Sequence, residues 1–324
     1  MAEGSLDFEK PIDELEKRID DLRQLAKQER IEVADELRKL ERKADRLRKD
    51  VFSRLSRWQR VQLARHPLRP YTLDYVGRLM DEFIELHGDR LFSDDGAMVV
   101  GLATFEGRKI VLVGQQKGRD TTEKVKRNFG CVHPEGYRKA LRLFRMAEKF
   151  HLPVVTFVDT QGAYPGIGAE ERGQATAIAE NILAMSRLRT PIIAIIIGEG
   201  GSGGALAIAV ADRVLMMENA IYSVISPEGC AAILWSDRAM AERAAEALKI
   251  TAPDLQELNI IDGIIPEPLG GAHRDIASAA ESVREALRRS LEEVCARPLD
   301  RLLEERSVKY REMGVFEEPG GVSR

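Results

Sequence analysis

The chain has 324 residues, enough for one large domain or for one domain with appendages. Apolar residues make up 44% and charged residues 31%, which is a globular composition rather than a disordered or fibrous one. Its 49 basic and 53 acidic residues leave a net charge of −4, which argues against a nucleic-acid-binding surface spread over the whole molecule.

No segment is typical of secretion or of membrane insertion. The longest apolar run near the centre, Ile192 to Ile197, is too short to span a bilayer, and the N-terminus lacks a basic region followed by an apolar stretch. Cys131, Cys230 and Cys295 lie far apart and form no CxxC or Cys/His pattern, so neither a zinc knuckle nor a disulfide framework is predicted. We expect a reduced, cytoplasmic protein with no metal ion in this chain.

Residues 1–60 are dense in charge and carry apolar residues at helical spacing, which predicts an N-terminal helical arm. The phase of the apolar spacing slips near Glu29 to Val33, so we expect two helices or one helix with a stutter. The arm could pack on its own domain or contact a partner subunit. Its two apolar stripes, called seams below, are short, which slightly favours packing on its own domain. The two seams are Ile12, Leu15, Ile19, Leu22 and Ala26, and then Val33, Leu37, Leu40, Ala44, Leu47 and Val51.

After Arg69-Pro70 the sequence changes to short β-branched runs separated by glycine turns. Strands that alternate with helices predict an α/β layer fold with mostly parallel strands, with a core over 61–270 and a helical C-terminal segment over 271–324. The predicted elements are strands at Met98–Phe105 and Lys109–Gly114 paired around Glu106-Gly107, a helix at Pro134–Phe150, a strand at Pro153–Val158, a helix at Ala175–Leu188, a strand at Ile192–Ile197, a short helix at Ala205–Ala211, a strand at Val214–Met217 and a closing helix over 275–295.

Two glycine-rich turns follow buried strands. One covers Asp159 to Gly168 and the other runs from Gly198 to Ala205, directly into the short helix. Glycine lets the backbone approach a ligand closely and point free N–H groups at it, so an anion or a developing oxyanion fits such a turn. Tight strand–helix packing is the alternative explanation. Two such turns on neighbouring strands shift the balance modestly towards a site.

The second turn also satisfies two better-known patterns. Its glycines at 198, 200 and 203 match the dinucleotide-binding fingerprint, with Glu218 ending the next strand. The predicted helix is short for that fold, however, and the fingerprint leaves the first turn unexplained. The segment from Gly200 to Gly204 matches the G-x-S-x-G nucleophile elbow around Ser202, for which Asp262 and His273 would complete a triad. We expect His273, like His66, His87, His133 and His151, to be a surface or loop histidine.

Charged residues flank both turns. The segment from Gln115 to Asn128 is basic, includes Lys117 and Arg119, and could hold a phosphate or a carboxylate, although basic loops are more often only solvated. Glu199 and Glu228 could each act as an acid or a base, although a carboxylate at a helix start is usually only a cap-side charge.

Taken together, these segments resemble the carboxyltransferase alpha-subunit family of the multi-subunit acetyl-CoA carboxylases, in the crotonase superfamily. The resemblance covers nearly the whole chain and is weakest after about residue 275. The motifs that carry it are Leu6-Asp-Phe-Glu-Lys-Pro-Ile, Arg69-Pro-Tyr-Thr-Leu-Asp-Tyr, Gln116-Lys-Gly-Arg, Arg127-Asn-Phe-Gly, Pro134-Glu-Gly-Tyr-Arg-Lys-Ala-Leu-Arg, Asp159-Thr-Gln-Gly-Ala-Tyr-Pro-Gly, Ala169-Glu-Glu-Arg-Gly-Gln, Gly198–Ala211, Asp212-Arg-Val-Leu-Met-Met-Glu, Ile225-Ser-Pro-Glu-Gly and Ile264-Ile-Pro-Glu-Pro-Leu-Gly-Gly-Ala-His-Arg.

The resemblance implies a crotonase-type ββα spiral and carboxyl transfer from carboxybiotin to acetyl-CoA, giving malonyl-CoA for fatty acid synthesis. It also implies three partners. These are a zinc-ribbon beta subunit in an alpha2beta2 assembly, the biotin carboxyl carrier protein that presents carboxybiotin, and biotin carboxylase in the larger complex. The chain itself would carry no covalent cofactor and would be active only with the beta subunit.

By the same resemblance, the backbone amides of Gly203, Gly204, Gly162 and Ala163 form an oxyanion hole for the biotin carbonyl. Lys117, Arg119 and Tyr164 are the expected substrate-binding side chains. The decarboxylated biotin can take the proton itself, which agrees with the lack of a convincing general base. A nicotinamide-dependent oxidoreductase, a serine hydrolase and a non-catalytic scaffold stay open as alternatives from the residues alone.

Overall fold

The structure, a computed structural model, describes residues 5–29 and 33–314. The strands in this part of the chain are β1 (Glu82–Glu85), β2 (Met98–Phe105), β3 (Arg108–Gln115), β4 (Val154–Thr160), β5 (Ile192–Gly201), β6 (Arg213–Met217), β7 (Ile221–Ser223) and β8 (Gly263–Ile265). The α-helices are α1 (Lys10–Glu29), α2 (Ala34–Phe52), α3 (Arg57–Ala64), α4 (Thr72–Leu79), α5 (Thr121–Lys126), α6 (Pro134–Phe150), α7 (Ile167–Glu171), α8 (Gln174–Arg187), α9 (Ser202–Leu206), α10 (Pro227–Trp235), α11 (Ala241–Leu248), α12 (Ala252–Glu257), α13 (Ile276–Cys295) and α14 (Leu299–Arg311).

The strands form one sheet in the order β1-β2-β3-β4-β5-β6-β8, and β7 pairs with the end of β5. The first three strands are antiparallel, and every pairing from β3 onward is parallel. The hairpin between β2 and β3 turns at Glu106 and Gly107, which both have positive φ, as a two-residue hairpin turn requires. The α/β class and the predicted hairpin are therefore confirmed.

The centre of the sheet is buried on both faces. Every residue of β4 and β5 is buried, which explains why these strands read as continuous apolar runs rather than as alternating ones. Helices α6 and α8 pack on each other, α6 also packs on β2 and β3, and α13 packs against β5 and β8. This arrangement leaves the carboxyl ends of the parallel strands as the place where polar residues can meet a ligand.

The N-terminal arm contains two helices, and the predicted phase slip falls between the end of α1 at Glu29 and the start of α2 at Ala34. The first turns of α1 lie against the loop before α13. The Arg274 guanidinium of that loop lies 3.2 Å from the Glu9 carboxylate, 2.5 Å from that of Asp13 and 2.9 Å from that of Glu16. These contacts support the interpretation that the arm packs on its own core.

The largest differences from the prediction lie at the end of β5, in the helix after it and after α13. Strand β5 runs on to Gly201 rather than ending at Ile197, and the helix that follows is Ser202–Leu206 rather than 205–211. A further helix, α14, follows the one expected to close the chain. Helix α14 is fixed by the buried Arg306, whose guanidinium bonds to Asp212 and to the carbonyls of three distant residues. Such long-range contacts leave no local pattern in the sequence.

Within the described residues, no helix combines the length and the apolar character needed to cross a bilayer. Cys131 and Cys230 are buried free thiols, and Cys295 is a half-buried one.

Candidate active site

The two glycine turns lie side by side at the carboxyl ends of β4 and β5. The parallel register pairs Thr160, the last residue of β4, with Gly200 near the end of β5. Residues 161–163 follow the first strand, and α9 begins at Ser202 directly after the second. The sequence predicted two turns on neighbouring strands, and the register confirms it.

The turns touch through positions where only glycine fits. A Cβ atom on Gly204 would stand 2.5 Å from the amide nitrogen of Ala163 and 2.6 Å from the carbonyl carbon of Gly162. A Cβ atom on Gly201 would stand 2.2 Å from the carbonyl oxygen of Gln161. These three distances to backbone atoms are far shorter than a van der Waals contact, so a side chain at Gly201 or Gly204 would push the two turns apart.

Three of the four predicted amides are open. Across residues 5–29 and 33–314, the N–H groups of Ala163, Gly203 and Gly204 donate to no protein acceptor. The fourth, that of Gly162, donates to the Thr160 hydroxyl oxygen at 3.1 Å. Apart from Gly162 and its two chain neighbours, nothing lies within 4 Å of the place that a Cβ on Gly162 would fill. Gly162 therefore supplies open space beside the other amides, while its own N–H is already bonded.

The hydrolase interpretation fails on geometry, although Ser202 is exposed and has a strained φ of +53°. The Asp262 carboxylate accepts from the Val214 amide and from the Lys309 ammonium. The His273 ring pairs with Glu9 at 3.1 Å, in the contact that docks the arm. Both proposed triad partners are thus engaged elsewhere, and Ser202 is the first residue of α9.

The dinucleotide fingerprint is also wrong, because Gly198 and Gly200 lie inside β5 rather than in a turn. The helix that follows has only 5 residues, too short to return over the sheet. Glu218, the expected ribose ligand, accepts the backbone N–H of Glu267 at 3.1 Å. Glycine spacing alone produced the match.

A network of charged side chains lies beneath the turns. The Lys117 ammonium lies 2.7 Å from the Asp159 carboxylate and 3.9 Å from that of Glu199. Burial alone would lower the pKa of Lys117, but these two carboxylates raise it above its usual value, so the lysine stays charged. Arg65 bridges Glu199 and Glu228 at 2.7 and 2.6 Å.

Glu228 is a poor candidate for a general base. Burial raises the pKa of Glu228, but the hydrogen bond and charge of Arg65, together with hydrogen bonds from the helix start at Ser226 and Glu228, hold it below its usual value. A weakly basic carboxylate that is already paired with a guanidinium cannot readily accept a substrate proton at neutral pH.

The other two expected substrate-binding side chains are differently placed. Arg119 donates to the carbonyls of Pro67 and Arg69 at 2.7 and 3.0 Å, and it also pairs with the Asp74 carboxylate. Its guanidinium therefore fixes the segment before α4. Tyr164, which follows Ala163 within the first turn, is half-buried. Its ring stacks on His133 with the ring centroids 4.1 Å apart.

One buried residue at the turns had no role predicted from the sequence. Gln115, the last residue of β3, is fully buried and bonds to residues of both turn segments. Its signal in the sequence is a glutamine that ends an apolar strand, at a position where a buried side chain must find hydrogen-bond partners.

The described residues contain one group spaced closely enough to hold a cation, formed by Glu9, His66 and His273. The two rings are stacked 3.9 Å apart. Both histidines lie in loops, as predicted, but neither side chain is at the surface, since His66 is 3% exposed and the His273 side chain 5% exposed. His66 Nδ1 already accepts the Leu68 amide, and Arg274 lies 3.2 Å from the same Glu9 oxygen that pairs with His273. A guanidinium on that carboxylate disfavours a second cation, so the group fits arm docking better than metal binding.

The solved structures with the same fold include acyl-CoA carboxylases, a transcarboxylase and a malonate decarboxylase. A Pseudomonas malonate decarboxylase hetero-tetramer solved with coenzyme A aligns with a TM-score of 0.59 at 18% identity, over 74% of this chain and 96% of that one. The transcarboxylase 12S core with methylmalonyl-coenzyme A aligns with a TM-score of 0.51 at 23% identity, over 64% of this chain and 40% of that one. The fold is therefore that of the crotonase-like carboxyltransferases, as the sequence predicted.

The family follows from closer relatives. The acetyl co-enzyme A carboxylase carboxyltransferase-like family model matches residues 5–314. The acetyl-coenzyme A carboxylase carboxyl transferase subunit alpha of Geobacter metallireducens is 59% identical over 98% of this chain and 99% of the relative. The Thermus thermophilus subunit of the same name is 57% identical over 97% of this chain and 99% of the relative. The chain belongs to the acetyl-CoA carboxylase carboxyltransferase alpha-subunit family.

Proposed function

We propose that this chain forms half of a carboxyltransferase site, which moves a carboxyl group from carboxybiotin to acetyl-CoA and gives malonyl-CoA. The observation that carries the proposal is the contact between the two glycine turns. It brings the Ala163 amide against Gly204, beside the open space at Gly162, with the amides of Gly203 and Gly204 also free of protein acceptors.

The proposed role of these amides is to stabilise negative charge. When the N–CO2 bond of carboxybiotin breaks, CO2 leaves and the ureido group gains negative charge, which fixed N–H donors on its carbonyl oxygen would stabilise. The ureido nitrogen then takes a proton from the acetyl methyl group, and the resulting enolate attacks CO2 to form the new C–C bond. No side-chain base is needed. Glu228, a weak base, supports this route.

Substrate contact by Lys117, Arg119 and Tyr164 stays a proposal. Tyr164 directly follows the open Ala163 amide and is half-buried, which supports a place beside the substrate. Both cations are already engaged, Lys117 with Asp159 and Arg119 with backbone carbonyls, so direct contact would require them to exchange partners. Their more economical role is to hold the turn segments in place.

The active enzyme would require a beta subunit, as the subunit names of the relatives imply. We propose the zinc-ribbon beta subunit of an alpha2beta2 assembly, with the biotin carboxyl carrier protein presenting carboxybiotin, biotin carboxylase recharging it, and the cytoplasm as the location. Exposed apolar side chains support a partner surface on this chain: within residues 224–234, Val224, Ile233 and Leu234 are 78%, 73% and 62% exposed.

The direct test measures carboxyl transfer from malonyl-CoA to free biocytin, with the chain alone and with a beta subunit. We expect no transfer above background from the chain alone and clear turnover from the mixture. Full activity from the pure single chain would overturn the subunit assignment, and an inactive mixture of folded subunits would favour a scaffold.

The amide mechanism is tested by three substitutions in the assembled complex. Ala163→Pro removes one donor N–H and should lower kcat by about 10²–10³-fold, the usual cost of one oxyanion donor. Ala163→Ser keeps the N–H and is the matched control, and Ser202→Ala should cost little. An inactive but folded Ser202→Ala beside an active Ala163→Pro would revive the hydrolase interpretation.

A further inference from the structure

The side chain of Gln115 links the two glycine turns from the buried side. Its Nε2 donates to the carbonyl oxygen of Gly204 at 2.7 Å, and its Oε1 accepts the backbone N–H of Asp159 at 3.0 Å. Gln115 is fully buried, and its backbone carbonyl accepts a hydrogen bond from the Thr72 hydroxyl at 2.5 Å. Both ends of one planar amide are thus committed, one to each turn segment.

These two bonds constrain the direction of the open amides. In a helical turn the carbonyl of a residue points opposite to its N–H, so the bond from Gln115 to the Gly204 carbonyl directs the Gly204 N–H to the side opposite Gln115. The bond to Asp159 fixes the end of β4, directly before the turn that carries Ala163. Glycine has no side chain of its own to anchor it, so such turns need an outside support.

A second donor reaches the same carbonyl. The Tyr137 hydroxyl lies 3.4 Å from the Gly204 oxygen and is fully buried. Burial raises the pKa of Tyr137 well above its usual value, so the hydroxyl stays protonated and can only strengthen the hold on this carbonyl. The Gly204 carbonyl is thus a fixed point of the site.

We propose that Gln115 is a positioning residue of the carboxyl-transfer site, which holds the amides of Ala163 and Gly204 at a fixed separation through its bonds to Asp159 and Gly204. The inference rests on the proposed function, because it assigns Gln115 to the amides that would stabilise the charge on biotin. A glutamate could not replace it when ionised, since its second oxygen would face the Gly204 carbonyl as acceptor against acceptor.

The test compares Gln115→Met and Gln115→Glu in the complex with the beta subunit, using the malonyl-CoA to biocytin assay. Gln115→Met removes both bonds. We expect kcat to fall about 10- to 100-fold, the size of effect that a misplacement of about 1 Å produces. The KM for malonyl-CoA should change by no more than about two-fold, since the lost contribution belongs to the transition state.

Gln115→Glu supplies a readout that a purely structural role would not give. Burial raises the pKa of the introduced carboxyl group, and the protonated form can again donate to the Gly204 carbonyl. The activity of the variant relative to wild type should therefore rise as the pH is lowered from about 8 to about 6.

Gln116→Met is the matched control. Gln116 is also buried, but its amide bonds to the Leu73 N–H and to the Lys117 carbonyl rather than to either turn. The Gln116→Met variant should be less stable than the wild type but should keep the wild-type kcat. If a Gln115 variant does not fold, Tyr137→Phe takes its place, and a lower kcat with an unchanged KM is expected.

Three results would overturn the inference: unchanged kcat in folded Gln115→Met, an equal kcat loss in Gln116→Met, or a Gln115→Glu deficit that is the same at every pH. A wild-type complex that transfers no carboxyl group would instead defeat the proposed function itself.

Discussion

Replacing Arg69 by methionine should destabilise the fold strongly, because it breaks a fully buried ion pair next to the site. Arg69 and Glu267 have side chains 1% and 0% exposed, with a guanidinium nitrogen 2.6 Å from a carboxylate oxygen. The Nε of Arg69 also donates to the carbonyl of Ile197 in β5 at 2.7 Å. The arginine therefore ties the segment before α4 to the strand that leads into the second glycine turn.

The magnitude follows from what the substitution leaves behind. Glu267 would keep its hydrogen bonds from the amides of Asn219 and Ala272, but its charge would stay buried without a cation. Breaking a buried pair in this way costs about 3–5 kcal/mol. Adding Glu267→Gln to Arg69→Met should recover part of the loss, because the carboxamide removes the charge and still accepts one of these amides.

The deficit should also depend on pH. In the native protein burial raises the pKa of Glu267, but Arg69 and the backbone amides of Asn219 and Ala272 together keep it below its usual value. The native carboxylate thus stabilises the fold above its unfolded pKa, and this contribution is lost as the pH falls through the folded pKa. Without Arg69 burial dominates and the folded pKa lies above the unfolded one, so stability is lost as the pH rises. The difference between variant and wild type should therefore be larger at about pH 8 than at about pH 5.

The assay is urea unfolding of the purified chain followed by circular dichroism, at both pH values. Arg288→Met is the control, because Arg288 pairs with Glu106 at the exposed surface, where solvent and salt screen the pair and its loss costs little stability. An Arg69→Met variant that loses no more stability than Arg288→Met would refute the reasoning.

Two further changes test the second turn and the arm. Ser202→Gly should raise the free energy of unfolding by about 0.5–1 kcal/mol, because it removes the strain of a non-glycine residue at φ +53°. The kcat should stay near wild type. A free energy of unfolding no higher than that of wild type would contradict this prediction. Deleting residues 1–52 should weaken assembly with the beta subunit more than it lowers kcat, because it removes the buried Ile12 and Ile19 and leaves Arg274 without its carboxylates. Sedimentation at several dilutions would show earlier dissociation, and normal assembly of the truncated chain would leave the arm without this role.

Local patterns predicted the parts of the fold that local physics determines. Helix α6 begins and ends at the predicted residues, Pro134 and Phe150, because proline suits a first helical turn and the apolar period continues to the end. The hairpin at Glu106-Gly107 and the two arm helices follow from turn chemistry and phase in the same way. The two glycine turns were also found, because glycine density after a buried apolar strand is a local signal.

The missed features depend on contacts between distant residues. Strand β5 continues to Gly201 because its end pairs with Thr160 and with β7. The local glycine content cannot reveal this pairing and even argues against a strand there. The burial of His66 and His273 depends on the docking of the arm across more than 200 residues of sequence. Lys117, in the loop after β3, likewise finds its partner Asp159 on β4, 42 residues further along the chain.

In the proposed site of backbone amides, the geometry of the donors depends on the residues packed behind the two turns. The open donors belong to Ala163, Gly203 and Gly204, and two of these three have no side chain that could anchor them. Their positions are set by buried polar groups behind the turns, among them the amide of Gln115 and the Lys117–Asp159 pair. Such groups cannot be replaced by apolar ones without leaving buried donors or acceptors unpaired. Substitutions there should therefore impair turnover and folding together, whereas the exposed Ser202 should tolerate change.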